Sequence, residues 1–143
     1  MRGIYAMDST TIQLAYWCIK WAKYRQRKAA VKLHMVANVA NMLPKFAVAG
    51  KASEHDSKRE EELSASLLPG DVGILDRAYN NFPVLYRQTL RGVFFVVREK
   101  EPTKYRVVKH VARKGLPKEI ISDETIRLTG TTTRGATQRR CAA

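Results

Sequence analysis

The sequence predicts an α/β fold in which helices pack against a mixed β-sheet. Short apolar runs of strand length occur at residues 4–7 and 72–75, and each ends on an aspartate. Residues 55–68 and 82–90 have the spacing of helices that each precede a further apolar run. Residues 93–97, Val-Phe-Phe-Val-Val, are the most strand-like segment because they are all β-branched or aromatic.

Length and charge limit the class of protein. A chain of 143 residues suits one domain, and its 26 Lys and Arg against 13 Asp and Glu give a net charge of +13. A charge this large and of one sign favours a polyanionic partner such as nucleic acid. Cys18 and Cys141 form neither a disulfide framework nor a zinc motif. No apolar run reaches the roughly 18–20 residues of a membrane span, so we expect no membrane association and a cytoplasmic location.

The first half of the chain predicts three strands. Residues 4–7 form the first, and the segment 11–24 suits either a helix or a strand followed by a loop. Residues 31–37 alternate apolar and polar side chains, as a half-buried strand does. Residues 46–49 are predicted to return beside them as a hairpin.

The second half alternates helix and strand. A helix over 55–68 leads to the strand at 72–75, which follows the turn pair Pro69-Gly70. A helix over 82–90 then leads to the strand at 93–97.

Beyond residue 97 the character of the sequence changes. Residues 106–111 and 120–129 read as two shorter strands. The segment after Gly130 has little apolar content and no periodicity, which predicts a disordered basic tail over 131–143.

Two aspartates at the ends of apolar runs are the candidate site. If the strand before Asp76 lies parallel to the strand before Asp8, the two carboxylates occupy neighbouring positions about 4.8 Å apart. Carboxylates at that spacing suit Mg²⁺, and two such ions support phosphodiester chemistry. Two alternatives remain open: Asp8 as a helix N-cap, and Asp76 as an ordinary loop residue. His34 is expected to be a packed or surface residue, and the pair at 55–56 a helix cap.

Residues 20–32 contain six cations and no acid. This segment is the best candidate for contact with DNA, although a solvated basic face is the alternative. Trp17 and Trp21, which lie near these cations, are expected in the core.

Six motifs follow one another along the chain: Asp8-Ser9-Thr10-Thr11, Trp21-Ala22-Lys23-Tyr24-Arg25, Ala30-Val31-Lys32-Leu33-His34, Gly50-Lys51 with His55-Asp56, Asp76-Arg77-Ala78-Tyr79, and Phe94-Phe95-Val96-Val97-Arg98. In this collinear order they resemble the catalytic region of DDE transposases of bacterial insertion sequences, the IS-four group. The similarity covers roughly residues 4 to 130.

The resemblance implies a ribonuclease-H-like core over residues 1–100 and the start of a β-rich insertion over 101–130. It implies metal-dependent DNA cleavage and strand transfer, with Asp8 and Asp76 as catalytic ligands of Mg²⁺ or Mn²⁺. The implied partners are element ends and target DNA in a bacterial, nucleoid-associated setting, and a homodimer is compatible with the intact family. The predicted DNA contacts are Arg25, Lys28, Lys32, Arg77, Tyr79, Arg98 and Lys100.

One part of the family pattern is absent from this sequence. The third acid of the family is a Glu in the pattern Tyr-x2-Arg-x3-Glu-x6-Lys, which does not occur here. Glu54, Glu99 and Glu101 have no spacing that suggests a substitute. We therefore expect an incomplete, truncated catalytic domain without activity. The alternative is a basic remnant that binds DNA without cutting it; an RNA-associated role is disfavoured because no strand carries the aromatic residues typical of RNA-binding sheets.

Overall fold

The computed structural model describes residues 3–14, 29–99, 103–111, 117–130 and 137–142. Within these ranges the strands and helices, in chain order, are β1 (Ile4–Leu14), β2 (Ala29–Asn38), β3 (Pro44–Lys51), α1 (Glu60–Ala65), β4 (Val72–Leu75), α2 (Phe82–Leu90), β5 (Phe94–Val97), β6 (Tyr105–His110), β7 (Ser122–Leu128) and β8 (Thr137–Ala142). Single turns of 3₁₀ helix precede α1 and α2, at Asp56–Lys58 and Arg77–Tyr79.

Five strands form a mixed sheet in the order β3-β2-β1-β4-β5. β2 is antiparallel to both β1 and β3, which confirms the predicted hairpin. β4 is parallel to β1 and to β5, so the chain crosses over through α1 and again through α2. The parallel pairing of the two aspartate-bearing strands, expected from the sequence, is confirmed.

The helices cover one face of this sheet. The buried cluster there combines residues of the strands with residues of both helices: Met7, Val36, Leu63, Leu67, Leu75, Tyr79, Leu85 and Val93. Because side chains alternate along a strand, the residues between these project from the opposite face. On that face Ile4, Ile74, Phe94 and Val96 expose between 39% and 59% of their surface.

β1 is longer than the sequence predicted. It continues beyond residue 7 to Leu14 and pairs with β2 from Tyr5↔Asn38 to Leu14↔Ala29. Asp8 therefore lies inside a strand, and its interpretation as a helix N-cap is wrong. Half of the six residues after it are β-branched, and all six have a partner strand, which favours the strand over a capped helix.

The helix predicted over 55–68 is shorter and begins later. A 3₁₀ turn occupies Asp56–Lys58, and α1 itself spans Glu60–Ala65. The His55–Asp56 pair does not cap it, since neither flanking residue makes a side-chain capping bond. The predicted helix over 82–90 is confirmed as α2. No helix in the described ranges is both long enough and apolar enough to cross a membrane.

The chain divides into two units, Met1–Glu99 and Lys100–Ala143. The second unit contains an antiparallel sheet in the order β6-β7-β8. The presence of β8 differs from the predicted disordered tail, because Thr137–Ala142 pairs with β7 along its length. Backbone hydrogen bonds to an open strand edge require no apolar pattern, which is why composition gave no signal for β8.

Candidate functional site

The carboxyl end of β4 lies beside the middle of β1. The last pair in their parallel register is Met7↔Leu75, and both of these side chains are buried in the core. The next residue on each strand is an aspartate, and both aspartates are exposed. Alternation directs Asp8 and Asp76 to the sheet face opposite the helices, on strands about 4.8 Å apart.

The other end of the same strand pair is fixed by a buried carboxylate. Asp71 accepts hydrogen bonds from the backbone N–H groups of Gly3 and Leu68 and from Lys45 Nζ, at 3.0–3.2 Å. Burial raises the pKa of Asp71, but the hydrogen bonds from Leu68, Lys45 and Gly3 lower it by more, so that it lies below its ordinary value. These hydrogen bonds join the segments that precede β1 and β4.

The two candidate carboxylates differ in their local contacts. Asp8 Oδ1 accepts the N–H of Ser9 at 2.7 Å. Asp76 precedes the 3₁₀ turn Arg77–Tyr79 with an extended backbone, and its side chain makes no capping hydrogen bond. The Asp76 carboxylate therefore does not cap the turn.

Tyr79 lies beneath this end of the sheet and is buried, with 1% of its surface exposed. Burial is the main cause that raises the pKa of Tyr79 to about 12, and the negative charges of Asp56, Asp8 and Asp76 contribute to this rise. The three carboxylates therefore lie close enough to act on one hydroxyl group, which stays protonated at neutral pH.

Asp56 is the third carboxylate, and its Oδ1 is already occupied. Ser9 Oγ donates to it at 3.0 Å and Lys32 Nζ at 3.1 Å. His34 Nδ1 lies 3.7 Å from the same oxygen and 3.0 Å from the Tyr79 hydroxyl. Asp56 thus joins a buried polar network that lies beside the aspartate pair.

The fit to a divalent metal can be assessed from the oxygen donors present. Asp8 and Asp76 offer hard oxygen ligands on one face, the type that Mg²⁺ prefers. In the described part of the chain no group of three or more His, Cys, Asp or Glu could hold a metal ion. The residues therefore fit part of a magnesium site that is completed by water or by further ligands.

Apart from Tyr79, the predicted DNA contacts fall into three groups. Arg77 and Arg98 are exposed, and Arg98 N–H bonds the carbonyl of Leu75, which places Arg98 beside the end of β4. Lys32 is half-buried and paired with Asp56. The remaining three, Arg25, Lys28 and Lys100, lie outside the described residues, as do Trp17 and Trp21.

The prediction that Tyr79 contacts DNA is corrected by its burial. Its ring belongs to the core and its hydroxyl bonds His34, so its surface is withdrawn from any macromolecular partner. The apolar ring of Tyr79 fills the space under β4. The sequence pattern around this residue did not indicate its burial.

Sequence reasoning missed the network around Asp56. Ser9 and His34 are opposite each other in the β1–β2 register, a relation visible only once β1 is known to reach that far. His34 was expected to be a packed or a surface residue, and it is packed, with none of its surface exposed.

Comparisons with known proteins agree on one family. Residues 1–140 match the family model described as the transposase DDE domain. A probable transposase for insertion sequence element IS5377 of Geobacillus stearothermophilus is 30% identical over 100 residues, which is 70% of this chain. The chain spans 26% of the length of that relative.

A solved structure supports the fold. The cryo-EM structure of the piggyBac transposase synaptic complex with hairpin DNA superposes with a TM-score of 0.54 at 7% identity. The similar region covers 96% of this chain and 32% of that one. At this identity the likeness concerns the fold alone.

Proposed function

Because this chain belongs to the family of DDE transposase domains of insertion sequences, we propose that it forms part of a catalytic domain that cuts DNA and transfers its strands. The proposed scaffold is a ribonuclease-H-like sheet, supported by the order β3-β2-β1-β4-β5 with an antiparallel β2. The proposed metal ligands are Asp8 and Asp76.

The observation that carries the proposal is the register of β1 and β4. Met7 and Leu75 are 68 residues apart in the sequence, yet they form the last parallel pair of the two strands. An aspartate directly follows each of them, so two residues distant in the sequence occupy neighbouring positions in the sheet. Ligands of open α/β sheets bind at the carboxyl ends of the strands, which supports a functional role for Asp76 at the end of β4 and for Asp8 beside it.

In the proposed reaction, two carboxylates of the chain would bind the metal ion, and two arginines would bind the DNA backbone. A bound Mg²⁺ or Mn²⁺ would supply charge neutralisation at a phosphodiester and activation of water. Asp8 and Asp76 would hold that ion through their oxygens. Arg77 and Arg98, which are exposed near the end of β4, would bind backbone phosphates and so position the strand to be cut.

DNA is the proposed partner, at element ends and at target sites. The net charge of +13 favours a polyanion, and the solved relative was determined in complex with hairpin DNA. We also propose that two copies of the chain pair, because such a pair would bring two element ends together.

A second candidate is DNA binding without cleavage. It is favoured by one observation, the absence from the described residues of a third carboxylate in ligating position. The strong positive charge would still give affinity for DNA that falls with salt concentration.

Nicking of supercoiled plasmid by the purified 143-residue protein separates the two candidates. The cleavage proposal predicts nicks that require Mg²⁺ or Mn²⁺ and disappear in Asp8→Ala and in Asp76→Ala. Glu61→Ala is the matched control, since it removes an exposed carboxylate of α1 and should leave nicking unchanged.

Salt-sensitive DNA binding with no nicking by the wild-type chain would refute cleavage by this chain and favour the second candidate. Nicking that persists in both aspartate variants would refute the assigned ligands.

A further inference from the structure

A partly buried set of polar side chains joins the segments that follow the two aspartates. We propose that these side chains position Asp8 and Asp76 relative to each other, through a series of contacts that runs from Ser9 through Asp56 and His34 to Tyr79. The inference rests on the proposed function, because the spacing of the two carboxylates matters only if they share a ligand.

The direction of these contacts follows from the atoms that make them. Asp56 is a carboxylate acceptor, so Ser9 must use its single hydroxyl proton in the 3.0 Å bond to Asp56. His34 Nδ1 lies 3.0 Å from the Tyr79 hydroxyl and 3.7 Å from the same Asp56 oxygen, so the direction that suits both oxygens is donation from Nδ1.

The remaining nitrogen of His34 agrees with this direction. Burial lowers the pKa of His34, so that the ring is neutral and carries one proton. That proton lies on Nδ1, which leaves Nε2 as a bare acceptor, and Nε2 is the atom without a hydrogen-bond partner. A buried acceptor left unpaired is tolerated more often than a buried donor.

The four side chains come from four separate segments. Ser9 directly follows Asp8 on β1, and His34 is its partner across β2. Tyr79 closes the 3₁₀ turn that begins after Asp76. The fourth side chain, that of Asp56, comes from the 3₁₀ turn before α1. The series therefore links the middle of β1 to the turn after β4, at the point where β1 and β4 stop pairing.

Asp56 acts through this series and not as a ligand. Its Oδ1 accepts from Ser9 and from Lys32, and the charge of Lys32 at 3.1 Å offsets its own. In the described residues it completes no metal-binding group. Partners that orient metal ligands typically change metal affinity by about 10- to 100-fold when they are removed.

Tyr79→Phe tests the inference because it removes one hydroxyl and keeps the buried ring. We expect Mn²⁺, added alone and followed by electron paramagnetic resonance, to bind the full chain about tenfold more weakly than it binds wild type. Ser9→Ala should have a similar effect. Tyr86→Phe, which removes the hydroxyl of a half-exposed tyrosine on α2, is the matched control and should bind Mn²⁺ as wild type does.

Two measurements on the metal-free protein test the hydrogen bonds directly. The nitrogen chemical shifts of His34 should show the proton on Nδ1 in wild type. Amide hydrogen exchange should become several-fold faster at residues 8–10 and at residues 76–79 together in Tyr79→Phe. Asp71→Asn, which weakens the opposite end of the same strands, should not produce that paired change.

Each outcome has a separate meaning. If Asp76→Ala abolishes Mn²⁺ binding but Tyr79→Phe and Ser9→Ala leave it unchanged, the positioning role is refuted while the proposed function stands. A proton on Nε2 of His34, or exchange that changes at only one of the two segments, overturns the proposed series of contacts. A wild-type chain that binds no Mn²⁺ refutes the proposed ligands, and with them any positioning role.

Discussion

Glu60 is the most buried acid of the first unit, and its environment predicts a pH dependence of stability. None of its surface is exposed, Oε2 accepts the N–H of Asn81 at 3.1 Å, and Oε1 has no partner. Burial raises the pKa of Glu60 to about 8 from an ordinary value of 4.5, although the Asn81 N–H and the charge of Arg87 oppose the rise. The folded protein therefore keeps Glu60 neutral at pH 7.

The sign of the effect follows from which state binds the proton. Below pH 4.5 Glu60 is protonated in both states, and it adds no pH dependence. Between 4.5 and 8 the unfolded chain ionises while the folded protein stays protonated, so the free energy of unfolding falls as the pH rises. At about 1.4 kcal/mol for each pH unit, the fall between pH 5 and pH 8 amounts to about 3–4 kcal/mol.

Glu60→Gln should remove this dependence, because an amide accepts the Asn81 hydrogen bond without titrating. The measurement is urea denaturation of the full chain by circular dichroism at pH 5, 6, 7 and 8. The difference in free energy of unfolding between variant and wild type should shift in favour of the variant by about 3–4 kcal/mol across the series. Any constant loss from the unpaired amide cancels in that comparison.

Glu61→Gln, on the exposed side of the same helix, is the control and should follow the wild-type pH dependence. Parallel curves for wild type and Glu60→Gln would show that Glu60 is already ionised in the folded state and would refute the reasoning.

Other parts of the fold give further predictions, each measurable by urea denaturation. Leu63→Ala removes a fully buried side chain under the sheet and should lower the free energy of unfolding by about 2–5 kcal/mol. Gly92→Ala should cost about 1–2 kcal/mol because the residue has a φ of +80°. Asp71→Asn should cost about 1–3 kcal/mol at pH 7, and its effect should shrink below about pH 4, since a carboxylate with a lowered pKa stabilises only while it is ionised.

Local pattern was sufficient to predict the aspartate pair. Each aspartate ends an apolar run, and the helical segment between 49 and 72 permits the crossover that makes the two strands parallel. Residues 93–97 were also predictable, because few structures other than a strand suit an apolar run so rich in β-branched and aromatic residues.

Contacts between residues that are distant in the sequence determine the features that the local sequence pattern did not predict. Asp56 has the sequence context of a helix cap, but its partners Ser9 and Lys32 lie 47 and 24 residues away, and their hydrogen bonds determine its orientation. Residues 9–14 suit a cap followed by a helix until the pairing with β2 is known. Tyr79 was predicted to contact DNA because nothing in the motif around it shows that its ring lies under β4.

The place of β1 at the middle of the sheet has a consequence for how the molecule forms. Its antiparallel neighbour follows it closely in sequence, whereas its parallel neighbour pairs Ile4 with Val72, 68 residues later. On a ribosome β1, β2 and β3 can assemble as a meander while the other edge of β1 stays open, and pairs of such high contact order form late. The edge that carries Asp8 is thus completed only after residue 76 has emerged.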